Sequence, residues 1–301
     1  MNKKLTAKKL IAIFIALLCA LLVFCSCSLL EKIGIGNDSN DAFDGKLSVH
    51  FLDVGQGDSI FIELPDGKTM LIDAGENYYG NGIISYINDC GYSEVDYLAA
   101  THPHADHIGS MAYIVRHMDI GEVFMPKVSS NTKTYENLLE AVSDKGLKIK
   151  SAKAGITIAE NDDYEITVAA PSIIDSENLN NSSAVIKLSY KNNSFLFTGD
   201  AEKDELSKIK TDISADVLKV GHHGSKTSTY NEFLNAVNPK YAVISVGKNN
   251  DYGHPHKNTL KLLSNYGITV FRTDKDKTIV FASDGDEISV NSGKTSIKQE
   301  R

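Results

Sequence analysis

The chain has 301 residues, of which 42% are hydrophobic and 23% charged, and its formal net charge is −8. An acidic chain repels polyanions at long range, which argues against tight nonspecific binding of nucleic acid. Three of the four cysteines lie before residue 28. The rest of the chain contains Cys90 as its single cysteine and therefore cannot form an internal disulfide.

The first 27 residues have the pattern of an export leader. Four lysines without an acid precede an apolar run over residues 10–24, which is short for a membrane span and typical of a signal-peptide core. The run ends in C-S-C-S, which resembles a bacterial lipobox and predicts lipidation of Cys27, although Phe24 and Cys25 depart from the usual pattern. An uncleaved anchor and simple secretion are the alternatives. All three predict an exported domain at the outer face of the cytoplasmic membrane or at the cell surface. Removing the four leader lysines leaves that domain with a net charge of −12.

The remaining chain divides into three parts. Residues 28–45 are rich in glycine, asparagine and aspartate and predict a flexible tether. Residues 46–292 predict one folded domain, and residues 293–301 a polar tail. Within the domain, apolar runs bounded by turn residues predict strands. In chain order these are 46–54, 59–64, 68–73, 95–100, 164–170, 184–190, 194–198, 215–220 and 241–246, then short strands near 268–272, 277–282 and 286–290.

Helices are predicted between these strands by helical periodicity and by glycine stops. They cover residues 82–91, 201–209, 231–237 and 258–267. Two β-rich halves, each with its own helices, predict an α/β fold in which two sheets pack face to face with helices outside.

Polar side chains follow many of the predicted strands and are accompanied by glycines. Seven of the nine histidines lie in three such loops, at 102–107, 222–223 and 254–256. Glycine allows tight turns and close backbone approach, so these loops can bring side chains from different strands together. Other acidic residues in the same positions are Asp53, Asp58, Asp73 and Asp200.

The pattern H-x-H-x-D-H places three imidazoles and a carboxylate within six residues, from His102 to His107. Imidazoles this close repel one another when protonated and are costly to bury without partners. A divalent cation removes that conflict, so the pattern predicts a metal site. The spacing favours two ions, Zn²⁺ or Mn²⁺. His102 and His104 would face one ion and Asp106 and His107 the other, with Asp200 between them.

Seven segments, in order, resemble the metallo-β-lactamase superfamily and, within it, the hydrolase domain of ComEC-type competence proteins. They are D-V-G-Q-G-D-S, L-I-D-A-G, T-H-P-H-A-D-H-I-G, N-x-x-S, L-F-T-G-D, L-K-V-G-H-H-G-S and S-V-G-x-x-N-x-Y-G-H-P, from about residue 47 to 285. The resemblance implies a four-layer αββα sandwich and metal-dependent hydrolysis of phosphodiesters, with a nuclease role in DNA uptake for the full-length channel proteins. No long multi-helix channel segment is present here.

The resemblance also implies a ligand set and roles for single residues. The implied metal ligands are His102, His104, Asp106, His107, Asp200 and one of His222 and His223. Many superfamily members have a further histidine where this chain reads L-N-N-S-S-A-V, a replacement that the ComEC-like branch shares. Catalytic roles are expected for Asp106, as the residue that orients water, and for His254, as a hydrogen-bond or proton donor. Substrate binding is expected of Asn180, Ser183, Lys219 and Ser225; a sheet-covering role for Lys219 is equally open.

The leading hypothesis is an extracytoplasmic phosphodiesterase or nuclease in which two metal ions activate the attacking water. One alternative is a surface phosphoesterase acting on cell-wall or phosphocholine-type substrates, which suits an acidic, lipid-anchored domain. The other is a noncatalytic, metal-stiffened module that binds DNA or a cell-wall polymer. The expected partners are DNA, the membrane, and competence or cell-envelope proteins.

Overall fold

The computed structural model describes residues 46–293 and 295–299. The predicted leader with Cys27 and the tether lie outside the described residues. The described part forms fifteen strands. In chain order they are β1 Leu47–Phe51, β2 Ile60–Glu63, β3 Thr69–Ile72, β4 Glu94–Ala99, β5 Asp119–Met125, β6 Ile149–Ser151, β7 Ile156–Glu160, β8 Tyr164–Ala170, β9 Val185–Tyr190, β10 Asn193–Phe197, β11 Val217–Lys219, β12 Tyr241–Ile244, β13 Thr269–Arg272, β14 Ile279–Ser283 and β15 Ile288–Ser292.

Helices connect the strands, many of them between parallel neighbours. They are α1 Gly80–Asp89, α2 Ala105–Ile108, α3 Met111–His117, α4 Lys133–Asp144, α5 Lys203–Leu206, α6 Asn231–Val237, α7 Lys257–Asn265 and α8 Thr273–Asp276. Two single 3-10 turns, Leu179–Ser182 and Gly221–Gly224, precede β9 and follow β11.

The strands form two mixed sheets with similar plans. The first has eight strands in the order β15-β14-β1-β2-β3-β4-β5-β6, and the second has seven in the order β13-β12-β11-β10-β9-β8-β7. In the first sheet, β3 to β6 are parallel. In the second, β10 to β13 are parallel. The carboxyl ends of parallel strands meet at one edge of a sheet, so the loops after β3, β4, β10 and β11 are brought to common edges.

Three apolar clusters account for the layers. One cluster lies between the sheets and joins residues such as Phe51 and Ile62 of the first sheet to Phe195 and Ile186 of the second. A second cluster packs α1, α3 and α4 on the outer face of the first sheet, and a third packs α5, α6 and α7 on the outer face of the second. Burial on both faces explains why the strands read as nearly continuous apolar runs. The predicted αββα sandwich is confirmed.

The described end of the chain packs against the domain. The backbone N–H of Ile297 donates to the Asp53 carbonyl at 3.1 Å, and the Ile297 side chain is buried against the helices of the first sheet. The boundary at residue 292 stays a prediction. Within residues 46–293 and 295–299, no helix has the length and apolar character needed to cross a membrane.

Candidate metal centre

The histidine-rich loop follows β4 and turns directly into the single-turn helix α2. His102 lies in the loop, His104 immediately precedes α2, and Asp106 and His107 lie within it. His102 and His107 are fully buried. One short segment therefore supplies side chains to two neighbouring positions, and the ring centroids of His102 and His107 lie 4.2 Å apart.

The first position is formed by two histidines and an aspartate from the second sheet. Nε2 of His102 lies 3.0 Å from Nδ1 of His104 and 3.9 Å from Oδ2 of Asp200. Asp200 lies in the loop after β10 and is buried. His222 stands beside this position, with its Nε2 3.8 Å from Oδ2 of Asp200 and its Nδ1 3.3 Å from Glu202.

The second position is formed by Asp106, His107, His223 and the same Asp200. One ligand-type atom of each of these four side chains lies within 4.8 Å of the others. Nε2 of His107 is 3.3 Å from Oδ1 of Asp200. Nε2 of His223 is 3.1 Å from Oδ2 of Asp106 and 3.5 Å from Oδ2 of Asp200. The structure therefore brings all seven predicted metal-ligand side chains to one place, with His223 in the second group, His222 at the margin of the first, and Asp200 between the two.

A strained turn after β11 presents the two adjacent histidines. His222 and His223 both have positive φ, 50° and 51°, which non-glycine residues rarely adopt. Such strain costs about 1–3 kcal/mol per residue and tends to occur at functional sites. Nδ1 of His223 donates to the Ser245 carbonyl at 2.9 Å, which leaves Nε2 facing the carboxylates.

Residues beneath the centre orient these ligands. Asp73, after β3, accepts hydrogen bonds from the Thr101 backbone at 2.8 Å and from Nδ1 of His107 at 2.7 Å. This contact fixes the His107 ring with Nε2 directed into the centre, a common supporting arrangement for metal-bound histidine. Asp58 lies 3.4 Å from Nδ1 of His223 and forms a buried ion pair with Lys219. The sequence marks Asp58 and Asp73 only as acids beside strands, and their supporting roles become visible in the fold.

Gly57 allows the D-V-G-Q-G-D-S segment to touch the backbone of the histidine-rich loop. A Cβ at Gly57, where φ is 129°, would lie 2.1 Å from the Asp106 carbonyl oxygen. The neighbouring backbone N–H of Asp58 donates to that same oxygen at 3.1 Å. Only glycine fits this approach, which ties the first motif of the chain to the ligand loop.

For His107 and Asp200, burial and the neighbouring charges shift the pKa in opposite directions. Burial alone would lower the pKa of His107, but Asp200, Asp106 and Asp73 outweigh it and hold the pKa well above its usual range. Burial would raise the pKa of Asp200, but His223 and His107 hold it well below. For His102, burial and the neighbouring charge of His107 both lower the pKa. The carboxylates of the centre therefore stabilise positive charge at the position of His107.

The donor set fits divalent metal ions. Nε2 of His107 and Oδ1 of Asp200 are buried without a hydrogen-bond partner among the described residues. Buried polar atoms are rarely left unpaired, and a cation between such atoms satisfies both. Nitrogen and carboxylate donors suit Zn²⁺ and Mn²⁺, and two groups sharing one aspartate suit a pair of ions.

An open cleft of about 350 Å³ lies above the centre. Its wall includes Asn180, Tyr252 and His254, and its rim includes Gln56 and Glu76. Gln56, Glu76 and Tyr252 are not among the predicted site residues. The Tyr252 ring, 66% exposed, stacks on His254 with ring centroids 5.7 Å apart.

The other three predicted substrate-binding residues lie behind this wall. Ser183 is fully buried and its hydroxyl accepts from the Asp200 backbone at 3.2 Å. Ser225 is buried and accepts from Thr227 at 3.0 Å. The structure does not bring Lys219 to the cleft, because its fully buried side chain is committed to Asp58. In this arrangement Ser183, Lys219 and Ser225 support the loops that carry the centre.

An αββα sandwich with a histidine- and aspartate-lined centre at the strand ends defines a metal-dependent hydrolase fold. The chain belongs to the metallo-β-lactamase superfamily, whose family profile matches residues 52–248.

Within that superfamily the chain is similar to competence proteins, which confirms the ComEC-type resemblance of the domain. ComE operon protein 3 of Bacillus subtilis is 36% identical over 253 residues, covering 77% of this chain and 32% of that protein. Recombination protein 2 of Haemophilus influenzae is 32% identical over 236 residues, covering 75% of this chain and 27% of that protein. The chain thus spans less than a third of the length of either relative.

The fold is also similar to that of Igni18, a metallo hydrolase from the archaeon Ignicoccus hospitalis. The TM-score is 0.52 at 17% identity, over 78% of this chain and 98% of that one. At this identity the likeness concerns the fold alone.

Proposed function

We propose that this protein is a metal-dependent phosphodiesterase that acts outside the cytoplasm and that its substrate is nucleic acid. The observation that carries the proposal is the pair of ligand groups sharing Asp200 at the floor of an open cleft, with unpaired buried atoms on His107 and Asp200. Two neighbouring groups of this kind suit hydrolysis of a phosphate ester.

His102, His104 and Asp200 would hold one divalent ion, and Asp106, His107, His223 and Asp200 the other. Such ions supply Lewis acidity and lower the pKa of water. Asp106 is held ionised because, although burial would raise its pKa, His107 and His223 outweigh burial and keep the pKa below its usual range. An ionised carboxylate at the cleft floor orients a water molecule by accepting its hydrogen bond.

His254 acts from the opposite wall of the cleft. Burial, with the nearby His222 and His223, lowers its pKa to about 4, so the ring is neutral at pH 7. A neutral imidazole carries one N–H and can donate it to a phosphate oxygen or toward the departing group. Asn250 accepts from the His254 backbone at 3.0 Å and donates to its carbonyl at 2.7 Å, which fixes the loop.

The name of one relative favours nucleic acid as the substrate. Recombination protein 2 is named for a process on nucleic acid, and the chain matches a domain-sized part of it. The export leader predicted from the sequence favours an extracytoplasmic place, with lipid anchoring at Cys27 and competence or cell-envelope proteins as partners.

A substrate panel tests the proposal. Purified protein loaded with Zn²⁺ or Mn²⁺ is assayed on bis-p-nitrophenyl phosphate, on single- and double-stranded DNA, and on a phosphocholine ester. Hydrolysis of the first two substrate types, abolished by EDTA and by Asp106→Ala, supports the proposal, and the exposed Asp119→Asn is the matched control. Activity that survives EDTA overturns the metal-dependent proposal. Cleavage of the phosphocholine ester alone favours the surface phosphoesterase. DNA binding without turnover, unchanged in Asp106→Ala, favours the noncatalytic module.

The role of His254 is tested by leaving-group dependence. If His254 donates toward the departing oxygen, His254→Ala lowers kcat about 100-fold for DNA, whose alkoxide leaving group needs a proton. The loss for p-nitrophenyl esters is smaller, because nitrophenolate leaves without one. An equal loss on both substrates contradicts this role.

A further inference from the structure

A second groove opens beside the metal cleft, with a volume of about 620 Å³. We call it the tyrosine groove. The side chains used below to describe it are Asn77, Tyr78, Tyr113, Arg116, Lys133 and Asn137. They come from the segment between β3 and α1, from α3, and from α4. Neither the proposed reaction nor the sequence motifs account for this groove.

The groove differs in charge from the chain as a whole. The chain has 39 acidic against 31 basic residues. Yet among the described residues that line the groove there are two cations, Arg116 and Lys133, and no aspartate or glutamate. The two cations contact carboxylates only at the surface, Arg116 with Glu140 and Lys133 with Glu136, each at 3.5 Å. Exposed pairs of this kind are worth about 1 kcal/mol or less, so an incoming phosphate can replace the carboxylate.

Two partly exposed tyrosines lie at the same groove. Tyr78 is 65% exposed and Tyr113 is 39% exposed, both unusual for large aromatic side chains. Tyr78 also has a φ of 79°, a backbone strain that tends to occur at binding sites. Tyr113 is held in place from both sides. It stacks on His117 with centroids 4.0 Å apart, and a Cβ at Gly80 would lie 2.6 Å from its ring.

The tyrosine groove and the metal cleft are lined by neighbouring parts of the chain. Glu76 lines the cleft and Asn77 lines the groove; likewise Ala105 lines the cleft and Gly109 the groove. The Ser110 hydroxyl fixes this shared wall, because it donates to the Glu76 carbonyl at 2.6 Å and accepts from the Tyr79 backbone at 2.9 Å. A polymer whose reacting phosphate lies in the cleft can reach the groove across this wall.

We infer that the tyrosine groove binds the single-stranded part of a nucleic-acid substrate next to the reacting phosphodiester, with a base on Tyr78 and phosphates near Arg116 and Lys133. The inference rests on the proposed function for the position of the reacting bond. Aromatic faces interleaved with cations are the usual means of holding single strands without sequence preference. A cell-wall phosphate polymer without planar bases would have no use for the exposed rings.

Binding and cleavage are measured separately. Binding to metal-loaded protein is followed by fluorescence anisotropy with a labelled, phosphorothioate-linked oligothymidylate of about 15 nucleotides. Tyr78→Ala should weaken binding at least about fivefold, and Tyr78→Phe should restore it, because stacking needs the ring and not the hydroxyl. Arg116→Gln and Lys133→Gln should each reduce the slope of log K against log salt by about 0.7. Lys150→Gln, which removes another surface cation paired with an acid, is the matched control and should leave the slope unchanged.

For cleavage, the ratio of kcat/KM on unmodified oligothymidylate to that on bis-p-nitrophenyl phosphate should fall in the same groove variants. Binding that none of the groove variants weakens overturns the inference. So does equal competition by a glycerol phosphate polymer, or binding of duplex DNA alone. If the oligothymidylate binds as expected but no phosphodiester is hydrolysed with any metal, the proposed function fails and the groove assignment stands. If diesters are hydrolysed but the groove variants bind normally, the groove assignment fails and the proposed function stands.

Discussion

Nε2 of His107 and Oδ1 of Asp200 lie 3.3 Å apart, one from each sheet of the sandwich, and neither has a hydrogen-bond partner among the described residues. His107 cannot turn away, because Asp73 holds its other nitrogen at 2.7 Å. Asp200 is held by Ser183 through its backbone. The fold therefore keeps an imidazole nitrogen and a carboxylate oxygen face to face without a hydrogen bond between them, an arrangement of two ligand atoms that a divalent cation satisfies.

Asp200→Asn should remove the side chain shared by the two ligand groups. We expect the variant to fold, to bind fewer metal ions per chain by elemental analysis, and to lose about 100-fold or more in phosphodiester turnover, since even outer partners of metal ligands are worth about 10- to 100-fold. Excess metal should raise the Tm of the wild type and raise that of the variant less. The exposed Asp204→Asn is the control. Wild-type metal content in Asp200→Asn would contradict the shared role.

The buried ion pair of Lys219 with Asp58 supports the centre from below. Lys219→Met leaves Asp58 charged and buried, and breaking such a pair costs about 3–5 kcal/mol of unfolding free energy. Lys219→Met combined with Asp58→Asn should recover part of the loss, because no uncompensated charge remains. Urea unfolding of metal-loaded protein measures both. Lys150→Met, at a surface pair with Glu122, should cost less than about 1 kcal/mol. A loss that small for Lys219→Met would mean that water reaches Asp58.

Helices and strands were predicted well where the residue pattern of the segment itself determines its structure. Strand 164–170 and helix 231–237 agree with the structure residue for residue. Helix 201–209 is shorter than predicted, Lys203–Leu206. There the Glu205 carboxylate turns inward to accept from the Ser172 backbone at 2.7 Å, a contact with a distant residue. The segments β5, α4, β6 and β7 were not predicted, although α4 is amphipathic and capped by Thr132.

The site divides in the same way. The candidate ligand residues are concentrated in short motifs, and the resemblance to the ComEC-type domain grouped them as one set. The residues that orient these ligands could not be predicted in this way. The pairing of Asp58 with Lys219 and of Asp73 with His107 depends on which strands are neighbours and on the register in which they pair. The exposed tyrosines of the groove were not predicted either, because Tyr78 lies in a loop and the helix α3 that carries Tyr113 was not predicted.

Cys90 gives a test by pH that is independent of the metal centre. Burial, with the negative charges of Glu63 and Asp89, raises the pKa of its thiol to about 12. A raised thiol pKa means less thiolate, so at pH 8 only about one molecule in ten thousand is reactive. Iodoacetamide labelling of the Cys90 peptide, followed by mass spectrometry, should be slow and should rise about tenfold per pH unit up to pH 10. In urea the rate should level off above the ordinary thiol pKa of about 8.5. A plateau near that pH in the folded protein would contradict the burial argument.

Substitution of Gly57 tests how closely the D-V-G-Q-G-D-S segment must approach the histidine-rich loop. In Gly57→Ala the new methyl would lie 2.1 Å from the Asp106 carbonyl, so the ligand loop must move. We expect a loss of several kcal/mol in unfolding free energy, beyond the roughly 1 kcal/mol for a positive φ alone. Turnover of the fraction that remains folded should fall about 100-fold, because displacements near 1 Å have such effects. Gly146→Ala is the matched control, since its φ is 68° and nothing lies within 4 Å of the added methyl. Its cost should be that of the backbone conformation alone, with turnover unchanged. If Gly57→Ala behaved like Gly146→Ala, the contact between the two loops could be relaxed without disturbing Asp106, and glycine would be needed there only for its φ.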